Sequence, residues 1–200
     1  MRDFGGAAGR CKGGGGRLPV APPETPTAMT EILPILYVPD PKLRAKAKPV
    51  QPGDARVPEL AERMLATMYK APGIGLAAPQ IGELLRLVVV DIHPDEKPAP
   101  MVLVNPEILA ESQEVATREE GCLSLPNQFA DVTRPARVKV RWQDLTGARK
   151  EIEADGLLAA CLQHEIDHLN GVLFVDHISA LKRNMLLRKL AKELKSKARD

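Results

Sequence analysis

The stretch Cys161-Leu162-Gln163-His164-Glu165-Ile166-Asp167-His168-Leu169 constrains this chain more than any other, because it spaces two histidines by four residues with a glutamate directly after the first. On a helix, residues i and i+4 lie one above the other. His164 and His168 can therefore aim two imidazoles at one metal ion, with Glu165 offset to the side where a water would lie. Asp155 and Gly156 precede the apolar positions Leu157, Leu158, Cys161, Leu162 and Leu169, and Asn170-Gly171 follows them. That order reads as an N-cap, an apolar helical face and a stop. The competing reading is a buried helix whose histidines are satisfied by hydrogen bonds, and a third ligand is what separates the two.

The chain has 200 residues, 44% hydrophobic and 27% charged, which suits one ordinary globular domain. No apolar run approaches the roughly 18 residues of a membrane-spanning helix. Three cysteines, Cys11, Cys122 and Cys161, make an odd set without repeated spacing, which disfavours a disulfide framework and points to a reducing compartment. The net charge of +2 is unevenly placed: residues 182–200 hold eight basic and two acidic side chains, so residues 29–181 are about 6 units negative.

Residues 1–28 contain Gly5-Gly6, Gly13 to Gly16 and Pro22-Pro23 with few large apolar side chains, the composition of a disordered extension. They lack the apolar core of a secretion signal and are only weakly like a transit peptide. The dense pattern begins at Met29, which reads as a translation start, with organelle targeting as the alternative. Residues 29–200 then form one domain. After a proline-punctuated arm, Asp54 and Pro58 mark a helix start, and Val57, Leu60, Ala61, Met64, Leu65 and Met68 recur at helical spacing up to Ala71-Pro72.

Gly73 to Gly82 follows with one polar side chain, Gln80, and reads as a tight loop that backbone can approach closely. Strands are expected over Leu85 to Ile92, Met101 to Leu109 and residues 112–118, the first of them central because it is almost continuously apolar. His93 adjoins a polar turn and reads as a loop histidine. Val138, Val140 and Trp142 alternate with Lys139 and Arg141, Asp144 to Gly147 turns, and Lys150 to Glu153 returns, a half-exposed hairpin. A last helix starts near Ser179. The class is α+β, antiparallel sheets around a central helix carrying the histidines, with a C-terminal amphipathic helix over 179–199.

Cys122, flanked by Gly121 and Leu123, is the best placed thiol to reach a metal; Cys161 competes from the same helix as His164 but also reads as a small buried hydrophobe. At this point Gly73 to Gln80, Glu120 to Pro126 and Gln163 to His168 resemble, in order, the three signature motifs of the peptide deformylases. The likeness runs from about Met29 to the basic final helix. It implies removal of the N-formyl group from newly made polypeptides, an amide hydrolysis. It further implies Cys122, His164 and His168 as metal ligands, Glu165 as general acid/base, and Gln80 with the backbone N–H of Leu123 as oxyanion donors. Ile74, Gly75, Glu120, Phe129, Leu157 and Cys161 are the implied substrate contacts, with Glu120 paired to Arg134. Phe129 stands where many relatives have arginine, and Ala160 where a larger aliphatic is common.

The family characteristically works with ferrous iron, and zinc, nickel or cobalt can substitute. Its bacterial members act in the cytoplasm, and the resemblance adds docking on the ribosome through a helix like the one bearing Arg188, Lys192, Lys195 and Arg199. A monomer with no membrane partner is expected. Two alternatives stay open at this level: a zinc endopeptidase, whose third ligand usually lies downstream, where His177 is the only histidine; and a non-catalytic, metal-stabilised ribosome-associated protein.

Overall fold

A computed structural model describes residues 31–93 and 96–197. The extension assigned to residues 1–28, the turn at Pro94-Asp95 and Arg199 lie outside the described residues. Three helices and seven strands occur among the described residues, α1 (Val57–Lys70), β1 (Gly75–Ala77), β2 (Leu87–Val90), β3 (Met101–Glu111), β4 (Val115–Cys122), β5 (Leu125–Pro135), β6 (Arg137–Gln143), β7 (Arg149–Asp155), α2 (Gly156–Leu169) and α3 (Ala180–Lys197). Five strands make one antiparallel sheet in the order β1-β2-β3-β6-β7, and β4 pairs with β5 in a separate ribbon. The expected α+β class with antiparallel sheets around the histidine helix is what forms.

β2 is continuously apolar because both of its faces are covered. Leu87 and Val89 cluster with Met64 and Met68 of α1, while Val88 and Val90 cluster with Leu162 and Leu169 of α2. Alternation along a strand thus sends successive side chains into two cores on opposite sides of the sheet. The α2 helix packs on β1, β2, β6 and β7, so its polar motif lies at the centre of the molecule. A third cluster joins Leu125 and Val132 of β5 to Phe174 and Leu190, with Leu186, Leu187 and Leu194 of α3 packed against it. Leu186, Leu187, Leu190 and Leu194 are therefore the inner face of the last helix, as their spacing implies.

Several boundaries differ from the expectations. Arg56, not Asp54, precedes the first helical residue of α1; the Asp54 carboxylate instead accepts from the Arg56 N–H at 3.1 Å, closing a turn before the helix. Asp155 occupies the N-cap position of α2 but makes no side-chain capping bond, since it ends β7 in extended conformation and Gly156 makes the turn with φ +55. The expected loop over Gly73 to Gly82 is in fact the edge strand β1 followed by a short 3-10 turn at Ala78–Ile81, because small residues let it pack against both β2 and α2. The strand expected at 112–118 begins and ends later, at Val115–Cys122, and β5 forms where the sequence pattern marks no strand.

Candidate active site

Cys122 ends β4, and a register shift between Gly121 and Cys122 brings it opposite Leu125, so that Leu123 and Ser124 form the tip of the ribbon. Such an irregularity re-aims a side chain out of the regular ladder. Cys122 Sγ lies 3.2 Å from His168 Nε2, and the ligand atoms of Cys122, His164 and His168 all fall within 4.8 Å of one another. The two imidazoles stand edge to face with centroids 5.0 Å apart, as i and i+4 on one helix require. Phe174 stacks on the outer face of His164 at 6.2 Å. Cys161 is not in this trio. Its thiol is buried against the Ile74 carbonyl at 3.7 Å, and burial, with Glu165 and Glu120 nearby, pushes its pKa well up and keeps it protonated.

The surroundings hold these groups in place. Glu120 Oε2 is 2.9 Å from His164 Nδ1, which leaves Nε2 of that ring for the centre. Arg134 grips Glu120 through Nε at 2.6 Å and NH2 at 3.1 Å, and its NH1 donates to Asp167 Oδ2 at 2.8 Å. Burial alone would raise the Glu120 pKa, but the hydrogen bonds from His164 and Arg134 bring it down to about 2. His177 Nε2 meets the same Asp167 oxygen at 2.8 Å. The one downstream histidine is thus engaged with an acid outside the Cys-His-His group, which removes the ligand arrangement expected of an endopeptidase.

The donor set fits a divalent transition ion. A thiolate and two imidazoles are borderline-soft donors, and three protein ligands leave a fourth position open. The field around them also favours a cation: burial disfavours charge on His164, yet Cys122 and Glu120 more than offset it and push its pKa well up. At His168 burial and the neighbouring His164 push the pKa down, leaving a neutral donor.

Glu165 is buried, with Oε2 lacking any hydrogen-bond partner among the described residues. Burial raises its pKa to about 7, His164 opposing and Glu120 adding to the shift, which is the range in which a carboxylate can both take and return a proton at neutral pH. Gln80 lines the same cavity as Glu165; its Oε1 accepts the Ala77 N–H at 2.8 Å, so the amide is fixed and Nε2 faces Cys122 Sγ at 3.5 Å and Ser124 Oγ at 3.3 Å.

These groups open on a cavity of about 580 Å³. Ile74, Gly75, Glu120, Phe129, Leu157 and Cys161 all line it, as do Gln80 and Leu123. Ile74, Phe129 and Leu157 are left partly exposed at its mouth. Gly75 runs tight against α2: a Cβ there would stand 2.8 Å from Glu165 Cδ and 2.9 Å from Cys161 Sγ, so any larger residue displaces one of those side chains. Two participants escaped the sequence reading, Ser124, which is fully buried beside the Gln80 amide, and Asp167, which anchors Arg134. Their only signal was a polar residue inside each motif.

The chain is similar to known proteins over most of its length. The polypeptide deformylase family pattern matches residues 32–184. A peptide deformylase of Mesorhizobium japonicum is 57% identical over 168 residues, which is 84% of this chain and 96% of that one. The crystal structure of a peptide deformylase from Legionella pneumophila superposes with a TM-score of 0.79 at 50% identity, covering 85% of this chain and 99% of that one. That of the Ehrlichia chaffeensis enzyme in complex with actinonin gives 0.78 at 39% identity, covering 81% and 97%. With the three motifs folded around one Cys-His-His centre, this chain belongs to the peptide deformylases, metal-dependent hydrolases that remove the N-formyl group from nascent peptides.

Proposed function

We propose that Cys122, His164 and His168 hold one ferrous ion and that Glu165 is the general acid/base of deformylation. The observation that carries this reading is the buried Glu165 carboxylate, its Oε2 without a hydrogen-bond partner among the described residues, lining the same cavity as Cys122, His164 and Gln80. The ion, when bound, supplies Lewis-acid chemistry by acidifying water toward neutral pH and polarising the formyl carbonyl. Glu165 accepts the proton of the attacking water and then delivers it to the departing amine. The Gln80 Nε2 donor, with the Leu123 backbone N–H, meets the carbonyl oxygen as negative charge develops there. Each such donor is worth roughly a hundredfold in rate. Glu120 and Arg134 keep the His164 ring turned toward the centre.

For the substrate, β1 is an edge strand whose residue Gly75 lines the cavity beside Ile74, so an extended peptide can add along it. Ile74, Phe129, Leu157 and Cys161 then border an apolar slot for the unbranched methionine side chain. Formate release from formyl-Met-Ala-Ser by anaerobically iron-loaded protein tests the reading. Glu165→Gln is expected to retain the metal and lose turnover by several orders of magnitude. A variant that loses its metal, or keeps near-normal turnover, refutes the assigned role. Zinc-, nickel- and cobalt-loaded protein assayed in parallel decides among the metals.

Residues 29–200 are the catalytic unit in this reading, acting as a cytoplasmic monomer, and removal of residues 1–28 is expected to leave activity essentially unchanged. No described helix is long and apolar enough to cross a membrane. The α3 helix packs Leu186, Leu187, Leu190 and Leu194 inward and leaves Arg188, Lys192 and Lys195 exposed, a basic stripe suited to ribosomal phosphates. Charge reversal of those three to Glu is expected to reduce co-sedimentation with ribosomes at low salt. Equal co-sedimentation of the two proteins refutes ribosome docking through α3.

A further inference from the structure

Besides Glu165, α2 lines the cavity with Leu157, Ala160, Cys161 and His164. Their spacing of i, i+3, i+4 and i+7 puts these four on one stripe of the helix, with a metal ligand at one end and Leu157, 46% exposed, at the mouth. Ala160 stands four residues from His164, about 6 Å along the helix axis. It therefore lies midway along the slot that Leu157 and Cys161 border, the one assigned above to the first side chain of the substrate. Cys161 is buried there, its thiol against the Ile74 carbonyl. Ala160 is only half-buried, and its methyl is the smallest side chain of the stripe.

Ala160 also borders a second cavity of about 10 Å³, closed off by small or apolar residues that include Ala116, Val132, Ala136 and Gly156. Three residues border both cavities, Arg118, Glu120 and Ala160, and together they form the partition between them. Protein interiors are close-packed and hold few voids. A partition backed by a cavity and by small side chains thus marks a place where the wall of the slot is thin. Of its three members, Glu120 is fixed, being gripped by Arg134 and His164. Arg118 is exposed and long enough to swing toward solvent. The depth of the slot is then set by the size of residue 160.

We infer that Ala160 is a specificity-determining residue whose small side chain opens the slot to formylated peptides with a first side chain bulkier than methionine, phenylalanine included. This rests on the deformylase reading and on the slot given above. An unbranched thioether bends to fit either a shallow or a deep slot, so methionine is served whatever stands at 160. A rigid aromatic ring cannot adapt in that way and needs the space over the Ala160 methyl. One misfit methylene in an apolar pocket costs roughly ten- to two-hundredfold in kcat/KM, and leucine at 160 would add three carbons.

The test is kcat/KM on formyl-Met-Ala-Ser and formyl-Phe-Ala-Ser for iron-loaded wild-type, Ala160→Val, Ala160→Leu and Leu157→Ala proteins. Wild type is expected to hydrolyse the phenylalanine peptide within about tenfold of the methionine peptide, less than the cost of one misfit methylene. Ala160→Leu is expected to lower the Phe-to-Met ratio by a further ten- to two-hundredfold, with Ala160→Val between the two. A wild-type ratio below about one in ten, or a ratio unchanged in both Ala160 variants, overturns the assignment. Each readout is a ratio within one preparation, so a general loss of activity in a variant cancels. Leu157→Ala is expected to shift the ratio several-fold and so reports on the slot. A shift there with none at Ala160 overturns the role of Ala160 alone; no shift in any variant overturns the slot as well. Wild-type turnover of formyl-Met-Ala-Ser separately reports whether the deformylase reading itself holds.

Discussion

Replacing Gly75 with alanine adds one methyl group at the point where β1 runs closest to α2, and the effect can be worked out from the contacts there. The new Cβ would lie 2.8 Å from Glu165 Cδ and 2.9 Å from Cys161 Sγ, with Glu165 Oε1 closer still. Ordinary carbon contacts lie at about 3.5–4.0 Å, so one side has to yield by roughly 1 Å. Cys161 is fixed on a buried helix and β1 is hydrogen-bonded to β2, which leaves the Glu165 carboxylate as the group that moves. A displacement of about 1 Å at a catalytic group costs roughly a hundredfold in rate. The overpacking itself costs about 1–3 kcal/mol, a fall in melting temperature of a few degrees for a chain of this length.

The expected signature is therefore a loss of about a hundredfold in kcat/KM for formyl-Met-Ala-Ser at full metal content, with a melting temperature lowered only modestly. Gly147→Ala is the control. Gly147 has φ +82 and nothing within 4 Å of a built Cβ, so alanine there costs about 1–2 kcal/mol of left-handed strain far from the centre. A Gly75→Ala protein with near-wild-type kcat/KM, or one whose loss is matched by Gly147→Ala at equal destabilisation, refutes the reasoning.

Cys122→Ser is expected to weaken metal retention by ten- to a hundredfold or more, since a hydroxyl is a poorer donor than a thiolate, whereas Cys161→Ser, outside the trio, is expected to keep its metal; metal analysis after competition with a chelator decides both. Arg134→Met strips Glu120 and Asp167 of their shared cation in a buried site and is expected to destabilise by about 3–5 kcal/mol, read from denaturant unfolding. The Tyr69 hydroxyl donates to buried Asp91 at 2.7 Å, and burial together with that carboxylate raises its pKa from 10.0 to about 12. Because the folded-state value is the higher one, the stability this contributes is complete below pH 10 and is lost as pH rises toward 12. Tyr69 is 40% exposed and solvent screens the pair, so Tyr69→Phe is expected to lose only about 0.5–1 kcal/mol at neutral pH and to show a smaller alkaline decline in unfolding free energy than wild type; identical declines between pH 10 and 12 refute it.

How much could be read from the chain alone depended on the distance over which each feature is decided. His164, Glu165 and His168 lie within five residues, and helical periodicity by itself places the two imidazoles on one face. The helical faces of α1 and α3 were legible for the same reason, because burying an apolar stripe is a local pattern. β2 announced itself through an unbroken apolar run, the mark of a strand covered on both sides. β5 gave no such signal: its inward residues include Gln128 and Arg134, polar groups that are buried because they meet Glu193 and Glu120 from elsewhere in the chain. β1 was too short and too small-sided to declare a period.

The site divides along the same line. Residue types within the motifs, and the likeness they carry, pointed to Cys122 over Cys161, but no spacing rule could bring residue 122 beside residue 168. Only the packing of the β4-β5 ribbon against α2 does that, and the register shift at Gly121 completes it by turning the thiol toward the imidazoles. The raised pKa of Glu165, the tight approach of Gly75 to α2 and the chain of contacts from His177 through Asp167, Arg134 and Glu120 to His164 are likewise properties of burial and juxtaposition. Local periodicity determined which side chains share a face of one element. Which elements face one another, and hence which groups lose water and acquire partners, was decided only when the sheet, the ribbon and α2 closed around the centre.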